Sequence, residues 1–132
     1  MSYTKKNLDE VEDSAPKFGY EELQEARFAG EDLDAETTGV AFMRVKPGQR
    51  QGFAHRHEQA EEVYVVIAGS GRIKLDDEVV DVQGPACVRV APSTVRSIWN
   101  DDAEDGHLLI VSTRLPDAAG DDAVIVENFW PE

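Results

Sequence analysis

The sequence predicts an all-β protein, a small sandwich or barrel, and three observations carry this prediction. From residue 38 onward the chain consists of short segments rich in valine, isoleucine and aromatic residues. Turn-forming residues separate these segments, among them Gly69-Ser70-Gly71 and Gly84-Pro85. The 132 residues suffice for one domain with a real core but are too few for two. Many short strands at this spacing are typical of antiparallel sandwiches and barrels.

The first part of the chain differs in texture from the rest. Residues 1–16 are polar, acidic and aperiodic, so we predict a flexible acidic arm with at most a short ordered piece. Residues 17–132 are predicted to form the single barrel domain. Within it, segment 20–28 places Tyr20, Leu23 and Phe28 near helical spacing, which predicts one short N-terminal helix.

The strands follow in chain order, each a short apolar run between turn signals. Their predicted bounds are 39–45, 52–57, 62–68, 71–76, 78–83, 86–91, 95–100, 107–114 and 123–129. The single cysteine, Cys87, excludes an intramolecular disulfide. Because it lies in the apolar run Ala86-Cys87-Val88, we predict that it is a small buried hydrophobe.

Charge limits the partners of this protein. The chain carries 27 acidic and 13 basic residues, a formal net charge of -14. Nucleic-acid backbones and anionic membrane surfaces would be repelled, so neither is expected as a partner. The N-terminus has no apolar targeting segment, and no stretch approaches membrane-spanning length, which predicts a cytoplasmic protein.

The sequence His55-Arg56-His57, followed by Glu62, carries most of the functional information. Two histidines separated by one residue point to the same side only on a β-strand. Glu62 opens the next apolar run, so two imidazoles and one carboxylate can converge inside the barrel. Such a set suits a divalent transition metal, Fe, Mn, Ni, Co or Zn, with coordination positions left open.

At these residues the sequence resembles the cupin family. The family's first motif is a glycine, five residues, His-x-His, three or four residues, Glu, six residues and Gly. Here six residues separate Gly48 from His55, and the match from His55 to Gly69 is complete. The second motif is degenerate and runs from Gly84 to Asn100, with Ala91 at its proline and Ser93 at its glycine.

The resemblance covers residues 38–114 and carries several implications. The fold would be a small antiparallel β-barrel of jelly-roll type, usually a homodimer. A small-molecule ligand would bind inside the barrel, and the activities of single-domain members include metal-dependent oxygenases, isomerases and lyases. His55, His57 and Glu62 would be the metal ligands.

Arg96 is the departure from the family pattern, because it occupies the position of the fourth ligand, a histidine. A guanidinium cannot donate a lone pair. About 5 Å from a divalent ion it would be repelled by roughly 7 kcal/mol at an effective dielectric near 20. Three outcomes are open: Arg96 pairs with Glu62 at a metal-free site, binds an anionic substrate beside a three-ligand metal, or points outward.

Other residues are candidates for the same pocket. Tyr64 shares the predicted inward face of Glu62 and is either a candidate catalytic phenol or an ordinary core tyrosine. Arg96 is the second catalytic candidate, which would orient a carboxylate or phosphate of the substrate. His107 is either a further ligand or a surface residue at a strand end. Eight side chains are predicted to line the cavity, namely those of Phe42, Arg44, Phe53, Tyr64, Val66, Ile73, Ile98 and Leu109.

Three functions follow from these patterns. The first is a metal-binding protein that binds or acts on a small, anionic molecule. The second is a metal-free module that binds or senses a small ligand, with Arg96 paired with Glu62 or an anion. The third is a structural dimer module without a ligand, which a filled interior would favour.

Overall fold

A computed structural model describes residues 2–102, 106–113 and 122–130, and these residues form ten β-strands in two sheets. The strands are β1 Gln24–Phe28, β2 Thr38–Val45, β3 Ala54–His57, β4 Glu62–Ala68, β5 Ser70–Leu75, β6 Glu78–Gln83, β7 Ala86–Val90, β8 Arg96–Trp99, β9 Gly106–Thr113 and β10 Ala123–Val126. One sheet has the order β1-β2-β9-β4-β7 and the other β10-β3-β8-β5-β6. Their strand pairs are antiparallel. The predicted all-β antiparallel barrel of jelly-roll type is therefore confirmed.

The predicted helix over 20–28 is wrong, because most of this segment is strand β1. It pairs with β2 from Gln24 opposite Val45 to Phe28 opposite Ala41. Alternation explains the error: Gln24 and Ala26 are buried, while the outward Glu25 carboxylate contacts Arg27 Nε at 2.6 Å. Residues two apart share a face only in a strand, so pairing with β2 outweighs the helical spacing.

The helical content of the described residues consists of two 3₁₀ turns, Leu8–Glu10 and Ala15–Phe18. Val11, which lies between the two turns, and Ala15, which begins the second turn, are buried. The Asp13 carboxylate accepts hydrogen bonds from the backbone N–H groups of Ala15 and Ala26, at 3.0 and 2.9 Å. These contacts fasten residues 11–15 to β1, near the cavity described below.

The core lies between the two sheets. Tyr64, Ile73, Val45 and Val90 are among its most deeply buried members. The predicted burial of Cys87 is wrong: it is exposed on β7, on the opposite face from Val88 and Val90. Each of the two sheets packs one face on the core and leaves the other solvated, so alternate residues of β7 remain outside.

Two motif glycines have a backbone reason for being glycine. Gly69, in the turn from β4 to β5, has a φ of 87°, which side-chain-bearing residues rarely adopt. A Cβ on Gly84 would lie 3.0 Å from the backbone of Ala68. In the described part of the chain no helix has the length and apolar character needed to span a membrane.

Candidate metal centre

The two histidines and the glutamate converge between the sheets. His55 and His57 lie on β3, where they flank Arg56 and share one face, and Glu62 begins β4 in the opposite sheet. Their candidate ligand atoms all lie within 4.8 Å of one another, and all three side chains are largely buried. Glu62 Oε1 is 3.3 Å from His55 Nε2 and 3.5 Å from His57 Nε2.

These distances suit a shared metal ion. Ligand atoms about 2.1 Å from a tetrahedral metal are about 3.4 Å apart, since each pair subtends roughly 109° at the ion. The two Glu62 separations are close to that value, and the shorter one is also within hydrogen-bonding range. Two imidazoles and a carboxylate are also donors that transition metals accept. The residues present therefore fit a divalent metal.

Asp122, just before β10, orients one of these histidines. Its Oδ1 lies 2.7 Å from His57 Nδ1. Its Oδ2 accepts hydrogen bonds from the backbone N–H groups of Gln59 and Ala60 at 2.7 and 3.0 Å. In the neutral imidazole, an Nδ1–H that donates to Asp122 leaves the lone pair of Nε2 directed at Glu62, and such carboxylate partners fix metal-binding imidazoles. In the protonated imidazole, Nε2 carries a second N–H that Glu62 can accept.

The pKa values agree with this arrangement. Burial lowers the pKa of His57, but hydrogen bonds to Glu62 and Asp122 outweigh burial and raise it above its ordinary value. Burial raises the pKa of Asp122, but hydrogen bonds from Gln59, His57 and Ala60 together outweigh burial, so the pKa is lowered from its ordinary value. Asp122 is thus an ionised acceptor at neutral pH.

Asp122→Asn is expected to weaken metal binding by about 10- to 100-fold, because the amide removes the charge that holds the imidazole tautomer. Competition against a fluorescent chelator would measure this dissociation constant. Asp81→Asn, which alters an exposed carboxylate, serves as the matched control and should leave metal affinity unchanged. If Asp122→Asn lost thermal stability but kept its metal affinity, then Asp122 would stabilise the backbone at Gln59 and Ala60 without orienting His57 for metal binding.

Glu62 Oε1 is surrounded by donors. In addition to the two histidines, Tyr64 Oη donates to it at 3.2 Å and Arg96 Nε lies 3.3 Å away. Burial raises the pKa of Glu62, but the hydrogen bonds from His55 and His57 dominate and hold it well below its ordinary range. Burial, followed by the charge of Glu62, raises the pKa of Tyr64 well above 10.0. Glu62 is therefore ionised, and Tyr64 is a protonated donor.

Arg96 takes the first of the three predicted orientations, toward Glu62. Its side chain is fully buried, and Nη1 donates to the carbonyls of Pro92 and Thr94 at 3.2 and 2.8 Å. The outward orientation is excluded by this burial. The side chain of His107, on β9, lies outside what the structure describes, so its predicted role as a ligand stays a prediction.

A cavity of about 370 Å³ adjoins the cluster, and His55, His57 and Glu62 form one part of its wall. Phe53 lines it as predicted. The prediction for Phe42 and Arg44 is wrong, because their neighbours Ala41 and Met43 face the cavity instead. Tyr64, Val66, Ile73 and Ile98 lie elsewhere in the interior, and the side chain of Leu109 lies outside the described residues.

Asp122 is the site residue that the sequence reasoning missed. In the sequence, 65 positions separate it from His57. No local spacing connects the two residues. The signal that could have found it is the pairing of β10 with β3, which brings Ala123 opposite His57.

Comparison with known proteins identifies the class that this fold and site define. The model of the cupin domain family matches residues 41–112, more than half of the chain. The chain therefore belongs to the cupin family. A search of curated proteins finds no match.

Three solved structures show how widely the fold is shared. A cupin protein from Bacteroides fragilis is 21% identical, with 91% of each chain covered and a TM-score of 0.71. A sugar phosphate isomerase of the cupin superfamily from Silicibacter pomeroyi is 20% identical, with 85% of this chain and 76% of that chain covered and a TM-score of 0.68. A predicted oxalate decarboxylase from Thermotoga maritima is 23% identical, covering 70% and 81%, with a TM-score of 0.61. At these identities the likeness establishes the fold alone.

Proposed function

We propose that this cupin binds a divalent transition metal on His55, His57 and Glu62 and binds a small molecule beside it in the barrel cavity. The observation that carries the proposal is the spacing of Glu62 Oε1, 3.3 and 3.5 Å from the two imidazole nitrogens. The contact between His57 Nδ1 and Asp122 supports it. A bound divalent ion would act as a Lewis acid that polarises an oxygen of the ligand.

In this proposal the remaining polar residues prepare the site. Tyr64 is fully buried and donates to Glu62, so it positions the carboxylate rather than contacting the ligand. Arg96 offsets the charge of Glu62 and holds the 92–94 turn through two carbonyls. The catalytic roles predicted for both residues remain predictions, as do an oxygenase, isomerase or lyase reaction, a homodimer and a cytoplasmic location.

The alternative is a metal-free cupin that binds or senses a small ligand. It is favoured by one observation: Arg96 Nε lies 3.3 Å from Glu62 Oε1, with both side chains buried. Glu62 thus has a charge partner without a metal. The cavity of about 370 Å³ supports either ligand-binding function over a purely structural module.

Elemental analysis of protein purified without chelator, followed by reconstitution with Fe, Mn, Ni, Co or Zn salts, distinguishes the metal-binding function from the metal-free alternative. We expect about one equivalent of a transition metal per chain, since three protein ligands make a single site. His55→Ala should abolish this binding, while Asp81→Asn, which alters an exposed carboxylate, should retain it. Less than about a tenth of an equivalent after reconstitution would leave the metal-free alternative.

A further inference from the structure

We propose that the ligand of this cavity has an apolar, ring-bearing or branched body and a single oxygen-bearing head group, and that the cavity wall disfavours polyanions. This inference rests on the proposed small-molecule site and specifies its substrate class. It departs from the expectation of an anionic ligand, and it is carried by the chemistry of the cavity wall.

Most of the wall is hydrocarbon. Its large apolar side chains are those of Phe18, Tyr20, Phe28, Met43, Phe53 and Ile125. The rings of Tyr20 and Phe53 are 5.9 Å apart, and Phe53 contacts the His55 ring edge-on at 5.7 Å. An aromatic surface therefore runs without interruption from the N-terminal segment to the first histidine. Such a surface favours flat or branched apolar groups.

The amides in the wall are engaged with protein. Gln51 Oε1 accepts from the backbone N–H of Ile98 at 3.0 Å, and its Nε2 donates to Met43 Sδ at 3.1 Å. Gln24 Oε1 accepts from the backbone N–H of Gly52 at 3.0 Å. Recognition of a ligand by the imidazole and carboxylate groups of the wall is confined to one end, where His55, His57 and Glu62 meet.

Among the described residues, no lysine or arginine lines this cavity. Arg96 lies within hydrogen-bonding distance of the Pro92 and Thr94 carbonyls and alongside Glu62, outside the cavity wall. The formal net charge of -14 adds a repulsive field at longer range. A ligand with two or more negative charges would lose its hydration here without gaining a cationic partner other than the metal.

The entrance of the cavity is apolar, like most of its wall. Phe18, Phe28 and Ile125 all line the cavity, yet they are 60%, 49% and 54% exposed. Large apolar side chains at a cavity mouth lose water contact when an apolar ligand enters, which favours binding. These residues would thus contact the ligand body while its oxygen-bearing head reaches the histidines.

Isothermal titration calorimetry with three probes tests this inference on both Zn²⁺-loaded and metal-free protein. 1-Phenyl-1,2-propanedione and oxalate each present two adjacent oxygens, but only the diketone is uncharged and carries a ring. Ribose 5-phosphate represents polar phosphate esters. We expect the diketone to bind the metal-free protein at least about tenfold more tightly than either anion, because the ring buries apolar surface and no lysine or arginine among the described residues lines the wall to pair with an anion.

A matched pair of variants locates the effect. Ile125→Ala should weaken diketone binding by about threefold or more, because it removes buried apolar contact. Ile67→Ala alters a similarly exposed isoleucine, 48% against 54%, that does not line the cavity, and should leave binding unchanged. Equal effects of the two variants would overturn the inference, and so would oxalate or ribose 5-phosphate binding the metal-free protein as tightly as the diketone.

The two proposals fail in different ways. If the protein takes up no metal but the metal-free form binds the diketone with the same dependence on Ile125, the metal proposal fails and the ligand class stands. If Zn²⁺ binds with full stoichiometry and the metal-free form prefers a polyanion to the diketone, the ligand class fails and the metal proposal stands.

Discussion

Glu62→Gln is expected to lower the free energy of unfolding of the metal-free protein by about 3–5 kcal/mol, the usual cost of removing one partner from a buried ion pair. The Arg96 side chain is fully buried, and its guanidinium would lose the carboxylate 3.3 Å from Nε. The glutamine oxygen can still accept a hydrogen bond, but it brings no charge. Urea unfolding monitored by circular dichroism would measure the difference.

The free energies of unfolding of wild type and Glu62→Gln are also expected to differ by an amount that depends on pH. Because the pKa of Glu62 is held well below its usual 4.5, its stabilisation is complete above about pH 4.5 and declines as the pH falls below that value. His57, whose pKa is raised, adds stability below its ordinary 6.5 that is lost as the pH rises through its folded value. The difference between wild type and Glu62→Gln should therefore be largest between pH 4.5 and 6.5.

Glu61→Gln provides the matched control for this prediction. Glu61 is the preceding residue on the chain, but its carboxylate is exposed and pairs with exposed Arg89 at 3.0 Å. Removing such a surface pair should change the free energy of unfolding by no more than about 0.5 kcal/mol. Similar losses in the two variants would mean that Glu62 is not a buried charge partner of Arg96.

Arg96→Met is expected to tighten metal binding at least about tenfold, because it removes a cation that competes with the metal for Glu62 Oε1. Methionine fills a comparable volume without charge. Arg96→His should tighten binding further, since it supplies the imidazole that the family pattern has at this position. Chelator competition, with circular dichroism to verify folding, would rank the three dissociation constants.

The control for charge alone is Arg89→Met, which removes an exposed arginine on the strand next to β4. Metal affinity should not respond to it, since an exposed charge is screened by solvent and salt. If folded Arg96→Met binds metal no better than wild type, then Arg96 does not compete with the ion and its buried position has another purpose.

The strand pattern of this protein is readable from its sequence because apolar runs and turn residues alternate clearly from residue 38 onward. Each of the nine predicted strands has a counterpart among the ten in the structure. The convergence of His55, His57 and Glu62 was also predictable, since alternation places both histidines on one face and the carboxylate opens the next strand.

The failures come from contacts between distant parts of the chain. Segment 20–28 has the spacing of a helix, but pairing with β2 makes residues 24–28 a strand. Which face of β2 lines the cavity could not be read from Phe42 and Met43, because both are large and apolar. Asp122 reaches His57 only through the pairing of β10 with β3, and no local pattern encodes that pairing.

The most direct test is anomalous scattering from a crystal of protein purified without chelator and supplied with Mn²⁺ or Zn²⁺. We predict one anomalous peak between His55 Nε2, His57 Nε2 and a Glu62 carboxylate oxygen, at about 2.0–2.2 Å from each atom. If the metal-supplied crystal shows no anomalous peak between those three atoms and Arg96 still lies beside Glu62, the account is contradicted.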